Sequence, residues 1–150
     1  MTAAFDQAYE VLIIAERKLN KLQFVDAVIN SNECIKLCFQ HLQHLLNIDG
    51  NHINEEIFRK LLASTVRLFK EYEGKYVKVI LLRSWLIFRV CEELLSICKI
   101  NGLSVSEILD RTTAELLASA IVKLTKTVYW NMYRVVSRVE TLMQLNHSSI

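Results

Sequence analysis

The sequence predicts an all-α protein, an up-and-down bundle of four to five long helices. Three observations lead there. The 150 residues include no proline and only three glycines, Gly50, Gly74 and Gly102, so the strongest helix breakers and tight-turn residues are nearly missing. Apolar residues recur at spacings of three and four rather than alternating. Residues suited to helix caps stand where that periodicity lapses. No repeat, linker or low-complexity stretch interrupts the pattern, so residues 1–150 read as one domain, long enough to bury about two thirds of its unfolded surface.

The first helix is expected from about Asp6 to Leu19. Tyr9, Leu12, Ile13, Glu16 and Leu19 fall at helical spacing there, and Lys18 and Lys21 suit the negative end of the helix dipole. Asn20–Gln23 makes a turn, and a second helix runs from about Phe24 to Asn47 with Gly50 placed to end it. Asn54 is positioned to cap a third helix, which carries Glu55 and Glu56 in its first turn and ends around Glu71–Lys75, at Gly74. The fourth helix, about Tyr76 to Lys99, is apolar on more than one face. Such a helix is central or lies in a subunit contact. Asn101–Gly102 stops it. Ser104 with Glu107, and Thr112 with Glu115, have capping-box spacing. They predict a short helix over Val105–Leu109 and a long last helix from Thr113 to about Leu145, with residues 146–150 fraying.

Composition bounds the function classes. Hydrophobic residues make up 52% and charged residues 23%, and the mean hydropathy of +0.23 is high for a soluble monomer. Some apolar surface is therefore expected in an oligomer interface, most simply a homodimer. No secretory signal is visible. The longest apolar stretch, Val77 to Ile100, is interrupted by Lys78, Arg83, Arg89, Glu92, Glu93 and Lys99. Each such charge costs about 2.5–3.5 kcal/mol at a bilayer centre, so no membrane span and a cytoplasmic location are expected. The four cysteines should then be reduced thiols. Net charge is +2, with −1 over residues 1–75 and +3 over residues 76–150. That tilt falls short of a dedicated nucleic-acid binder.

Few residues suggest chemistry. Cys34, Cys38 and His41 lie at i, i+4 and i+7 on one stripe, with His44 one position off. Thiolates and imidazoles so spaced can share a metal, but a fourth ligand and the usual Cys-x2-Cys pair are missing. These positions are read as packing residues, with no metal. Cys91 and Cys98 stand about 10.5 Å apart along a helix, too far for a disulfide within it. No G-x-S-x-G, H-E-x-x-H or P-loop occurs, and no cofactor is implied. Adjacent Glu92 and Glu93 point about 100° apart and cannot face each other. The last helix is richer. Lys123, Thr127, Trp130, Arg134 and Arg138 follow a spacing of about four, with Lys126 and Tyr133 alongside. Cations interleaved with aromatics suit phosphate neutralisation and base stacking. The plainer alternative is a solvated face whose arginine stems cover apolar neighbours.

The Ala15–Ile48 segment carries a further pattern. An Ala-Glu first helix and a short turn lead into Glu33, Cys34, Ile35, Lys36, Leu37, Cys38, Phe39, Gln40, His41 and Leu42, then Leu46, Asn47 and Ile48. This order resembles the first helical hairpin of HEPN-domain proteins, small helical partners of minimal nucleotidyltransferases. His52 follows at about the place of a family histidine, and LSVSEILDRTTA over Leu103–Ala114 resembles the family stretch ahead of its last helix. The resemblance implies that Cys34 and Cys38 occupy close-packing small-residue positions. His41 at such a position, and Gln40 in place of lysine, depart from the pattern. Family ribonucleases carry arginine, four to six residues, then histidine. None of His41, His44, His52 and His147 has an arginine five to seven positions before it. The resemblance therefore implies a non-catalytic helical module, dimeric, partnered by a nucleotidyltransferase or binding nucleotide or RNA phosphate through Lys123, Lys126, Trp130, Arg134 and Arg138. His52 is a further polar site position. The rivals are a diverged, toxin-like, metal-independent ribonuclease built from Arg83, Arg89 and His52, and a purely structural module with the fourth helix as its interface.

Overall fold

A computed structural model describes residues 3–101 and 110–148. The expected helix over 105–109, the Ser104–Glu107 capping pair and Gly102 lie outside the described residues. Those described form five helices and no strand: α1 (Ala3–Asn20), α2 (Phe24–Leu45), α3 (Glu55–Arg67), α4 (Glu71–Asn101) and α5 (Arg111–Ser148). The all-α expectation holds. Helix α2 packs against α1, α4 and α5, α5 also touches α1 and α4, and α3 lies on α4.

Helix α1 buries Phe5, Ala8, Leu12 and Ala15, whereas Tyr9 is exposed and Ile13 and Glu16 only partly covered. The buried stripe is therefore rotated from the expected one. The cause is size: Ala15 packs with Ala27 and Val122, and small side chains let backbones approach closely. The turn after α1 is closed by hydrogen bonds from Leu22 N–H to Leu19 O (3.0 Å) and Gln23 N–H to Lys18 O (2.9 Å). That pattern needs a left-handed residue, and Leu22 supplies it at φ 60°.

The same device ends α2. Asn47, at φ 57°, donates to His44 O (3.1 Å) and Ile48 to Gln43 O (3.0 Å). Asn47 thus ends the helix, not Gly50, because asparagine tolerates the left-handed conformation. Gly50 serves the next loop at φ 144°, where an added Cβ would collide with Ile57 Cδ1. Buried Gln43 fastens that loop by donating to Ile48 O (3.1 Å) and Gly50 O (2.9 Å).

Asn54 caps α3 as expected, accepting from Ile57 N–H at 2.9 Å. However, α3 stops at Arg67, and residues 71–75 open α4 rather than closing α3. Gly74 is buried in the first turn of α4, where an added Cβ would meet Val66 of α3 at 3.4 Å, an ordinary van der Waals contact. This glycine therefore stands inside a helix rather than at its end, and nothing in the structure requires a glycine there. Helix α5 also starts earlier than expected. Asp110, not Thr112, caps it, accepting from Thr113 N–H and from the Thr113 hydroxyl, each at 2.8 Å. The helix continues through Ser148, so residues 146–148 are helical rather than frayed.

The main core joins all five helices through Phe5, Leu12, Phe39, Phe58, Leu81, Phe88, Met132 and Val136. Phe39, fully buried, meets the rings of Phe58, Trp85 and Phe88 edge-on. Burying a side chain of this size contributes about 1.5–3 kcal/mol.

Candidate functional site

Helix α5 presents two unlike faces because its sequence keeps a strict helical period. Thr125, Val128, Met132, Val135 and Val139 point into the core. On the opposite side, Lys123, Lys126, Trp130, Arg134 and Arg138 are all exposed. These five fall within about 120° of the helix circumference and extend about 22 Å along its axis. The structure therefore brings the expected stripe together on one surface.

Trp130 is held rather than loose. Its ring meets Tyr129, Tyr133 and Tyr9 edge-on, at 5.1, 5.8 and 6.3 Å between centroids, and stays 43% exposed. Tyr9 comes from α1, some 120 positions earlier, and no sequence signal could have added it to the stripe. The hydroxyls nearby are turned inward: Thr127 donates to Lys123 O, Ser137 to Tyr133 O and Thr141 to Ser137 O. The cations and the indole are the groups of the expected stripe that face a ligand. Lys123, Lys126 and Arg134 form no ion pair among the described residues. Arg138 Nε stands 3.8 Å from Glu73 Oε2 at a half-exposed position, a pairing of little strength against water. In α3, by contrast, Arg59 and Lys60 are each matched to a glutamate one turn away.

His52 lies elsewhere. It lines a cleft of about 460 Å³ with Lys36 of α2, Asn54 and Glu55 at the start of α3, and Trp85, Phe88, Arg89 and Glu92 of α4. None of these residues belongs to α5, so His52 does not share the stripe. The cleft does unite His52 with Arg89, but Arg83 is not among its lining residues and sits exposed on α4. Lys36 is the cationic member that the sequence did not single out. Its cations are already engaged: Lys36 Nζ is 4.0 Å from Glu33, and Arg89 donates to Glu93 Oε1 at 2.8 Å.

Cys34 and Cys38 are fully buried. Cys38 is pushed well above the ordinary thiol value, first by its hydrogen bond with Cys34 and then by burial. Burial and the neighbouring Glu92 push Cys91 up to about 12. Such thiols stay protonated and inert. His41 is also buried, with Nε2 3.5 Å from Glu140 Oε1 and the Phe5 ring edge-on at 5.1 Å. The departure at His41 is thus absorbed by a polar contact to α5 and an aromatic one to α1. Among the described residues no group of three or more His, Cys, Asp or Glu side chains is placed to hold a metal ion, and no helix is long and apolar enough to cross a membrane.

Fold and surface together define a class: a helical bundle carrying a basic, aromatic helix face. No family model matches the chain, and no curated protein or solved structure is significantly similar to it.

Proposed function

We propose that this chain is a non-catalytic, HEPN-like binding module that engages nucleotide or RNA phosphates along α5, alone or beside a nucleotidyltransferase partner. One observation carries the reading. Three cations without ionic partners among the described residues, Lys123, Lys126 and Arg134, flank a tryptophan that the bundle fixes half-exposed. Cations neutralise phosphates and release counterions, while an anchored ring offers a stacking surface at little entropic cost. The HEPN-like part rests on the Ala15–Ile48 resemblance. The non-catalytic part rests on the missing arginine–histidine spacing. Filter binding of labelled RNA and nucleotides through a salt series tests the surface. Binding at low salt that weakens in an Arg134→Ala, Arg138→Ala variant is expected. Undetectable binding, or binding indifferent to that variant, contradicts it.

The meeting of His52, Lys36 and Arg89 in one cleft favours a second reading, a diverged metal-independent ribonuclease. A histidine can move the proton of a 2′-hydroxyl while cations steady the charge on phosphate. Cleavage of RNA in EDTA that disappears with His52→Ala would favour it over the binding module.

A further inference from the structure

Helix α4 shows solvent a second stripe, of a different kind. Tyr72, Tyr76, Val79, Leu86, Val90 and Ile97 are exposed, from 42% at Val90 to 81% at Tyr72. With Arg83 and Glu93 they follow alternating spacings of four and three without a break from 72 to 97. Alternation of that kind over more than three heptads is the seam of a coiled coil, here about 38 Å long. Single exposed apolar residues mean little, but a row of six along one helix, interrupted only by Arg83 and Glu93, marks a protein-binding surface.

We propose that a second copy of this chain covers the row, with the two α4 helices antiparallel and a two-fold axis level with Phe88. The charges choose this arrangement. Residues equally distant from position 88 face one another across such an axis. Leu86 then meets Val90 of the second copy, Val79 meets Ile97, and Arg83 meets Glu93. Each pair occurs twice, as two-fold symmetry requires. Every apolar residue with a described side chain opposite it meets an apolar one, and the only two charged positions in the row meet with opposite sign. A parallel pair in register would instead set Arg83 against Arg83 and Glu93 against Glu93, an arrangement that like-charge repulsion disfavours. Glu93 also accepts from Arg89 of its own helix at 2.8 Å, so it would stand between two guanidinium groups. The opposite face of α4, with Val77, Leu81, Phe88 and Cys91 buried, stays in the bundle core. Association therefore asks nothing of the fold. Because no residue of the row lies on α5, the inference stands or falls apart from the phosphate-binding reading.

Sedimentation equilibrium of the full chain, with helix content followed by circular dichroism, tests it. The chain is expected to be dimeric at micromolar concentration, and Leu86→Lys, at an exposed position, should give a helical monomer. Arg83→Glu and Glu93→Arg should each raise the dimer dissociation constant about tenfold or more, since each sets like charges opposite at two places. The double exchange should recover most of the loss. Glu93→Arg and the double variant both lack the Arg89 contact, so recovery between them reads the contact across the axis alone. A monomer up to submillimolar concentration overturns the proposal. So does a dimer indifferent to Leu86→Lys, which would place the interface elsewhere, or a double exchange without recovery, which would refute the antiparallel register.

Discussion

Helices α4 and α5 each bury one face in the same core and show the other to solvent, yet the two outer faces are opposites. That of α5 offers Lys123, Lys126, Trp130, Arg134 and Arg138. That of α4 offers a row of aliphatic and tyrosine side chains broken only by Arg83 and Glu93. An apolar row gains by leaving water and suits a protein surface, whereas a row of cations remains well solvated and gains only when phosphate releases its counterions. Packing built the two inner faces. On the two proposals, phosphate for α5 and a second copy of the chain for α4, the difference between the outer ones follows from different partners.

The comparison breaks most completely if the outer rows turn out to matter for folding. Phe39→Ala, in the core beneath both helices, should lower unfolding free energy by about 3–5 kcal/mol in chemical denaturation. Lys123→Ala with Arg134→Ala should change it by no more than about 0.5 kcal/mol, the usual range for surface positions. Next in size is the ring: Trp130→Ala should weaken RNA binding by about 1–3 kcal/mol if one base stacks there, and Trp130→Phe should keep most of the affinity. A smaller effect serves as a control on both rows. Leu22, exposed and left-handed at φ 60°, should favour glycine, so Leu22→Gly should raise stability by about 1 kcal/mol. It should leave dimerisation and RNA binding alone. The smallest effect is pH-dependent. The hydrogen bonds of Thr113 hold the Asp110 carboxyl below its ordinary 3.8. A depressed carboxyl stabilises the fold fully above its ordinary value, and that contribution disappears as pH falls through the folded value. Asp110→Asn should flatten the acid end of a melting-temperature profile.

How far the sequence could be read follows from what each feature depends on. Local features were legible: Asn54 caps α3 through its own third neighbour, and the α5 stripe needs only the period of one helix. Features depending on distant packing were not. Gly74 looked like a stop, yet α3 has already ended at Arg67 and the glycine lies inside α4, which begins at Glu71. The α1 stripe was misplaced because alanines, weak as hydrophobic signals, decide how closely helices approach. Tyr9 reached Trp130, and His52 reached Arg89, only through the folded arrangement. Helix α4 hid its row for another reason. A buried and an exposed apolar face interleave along it, and their sum reads as a helix apolar nearly all round.

The central claim is that α5 binds phosphate through its exposed cations, and the salt dependence of RNA affinity tests it most directly. For single strands each neutralised phosphate adds about 0.7 to the slope of log affinity against log salt. Replacing Lys123 and Arg134 by alanine should reduce that slope by about 1.4, with the fold intact. A slope unchanged by the double substitution would contradict the account.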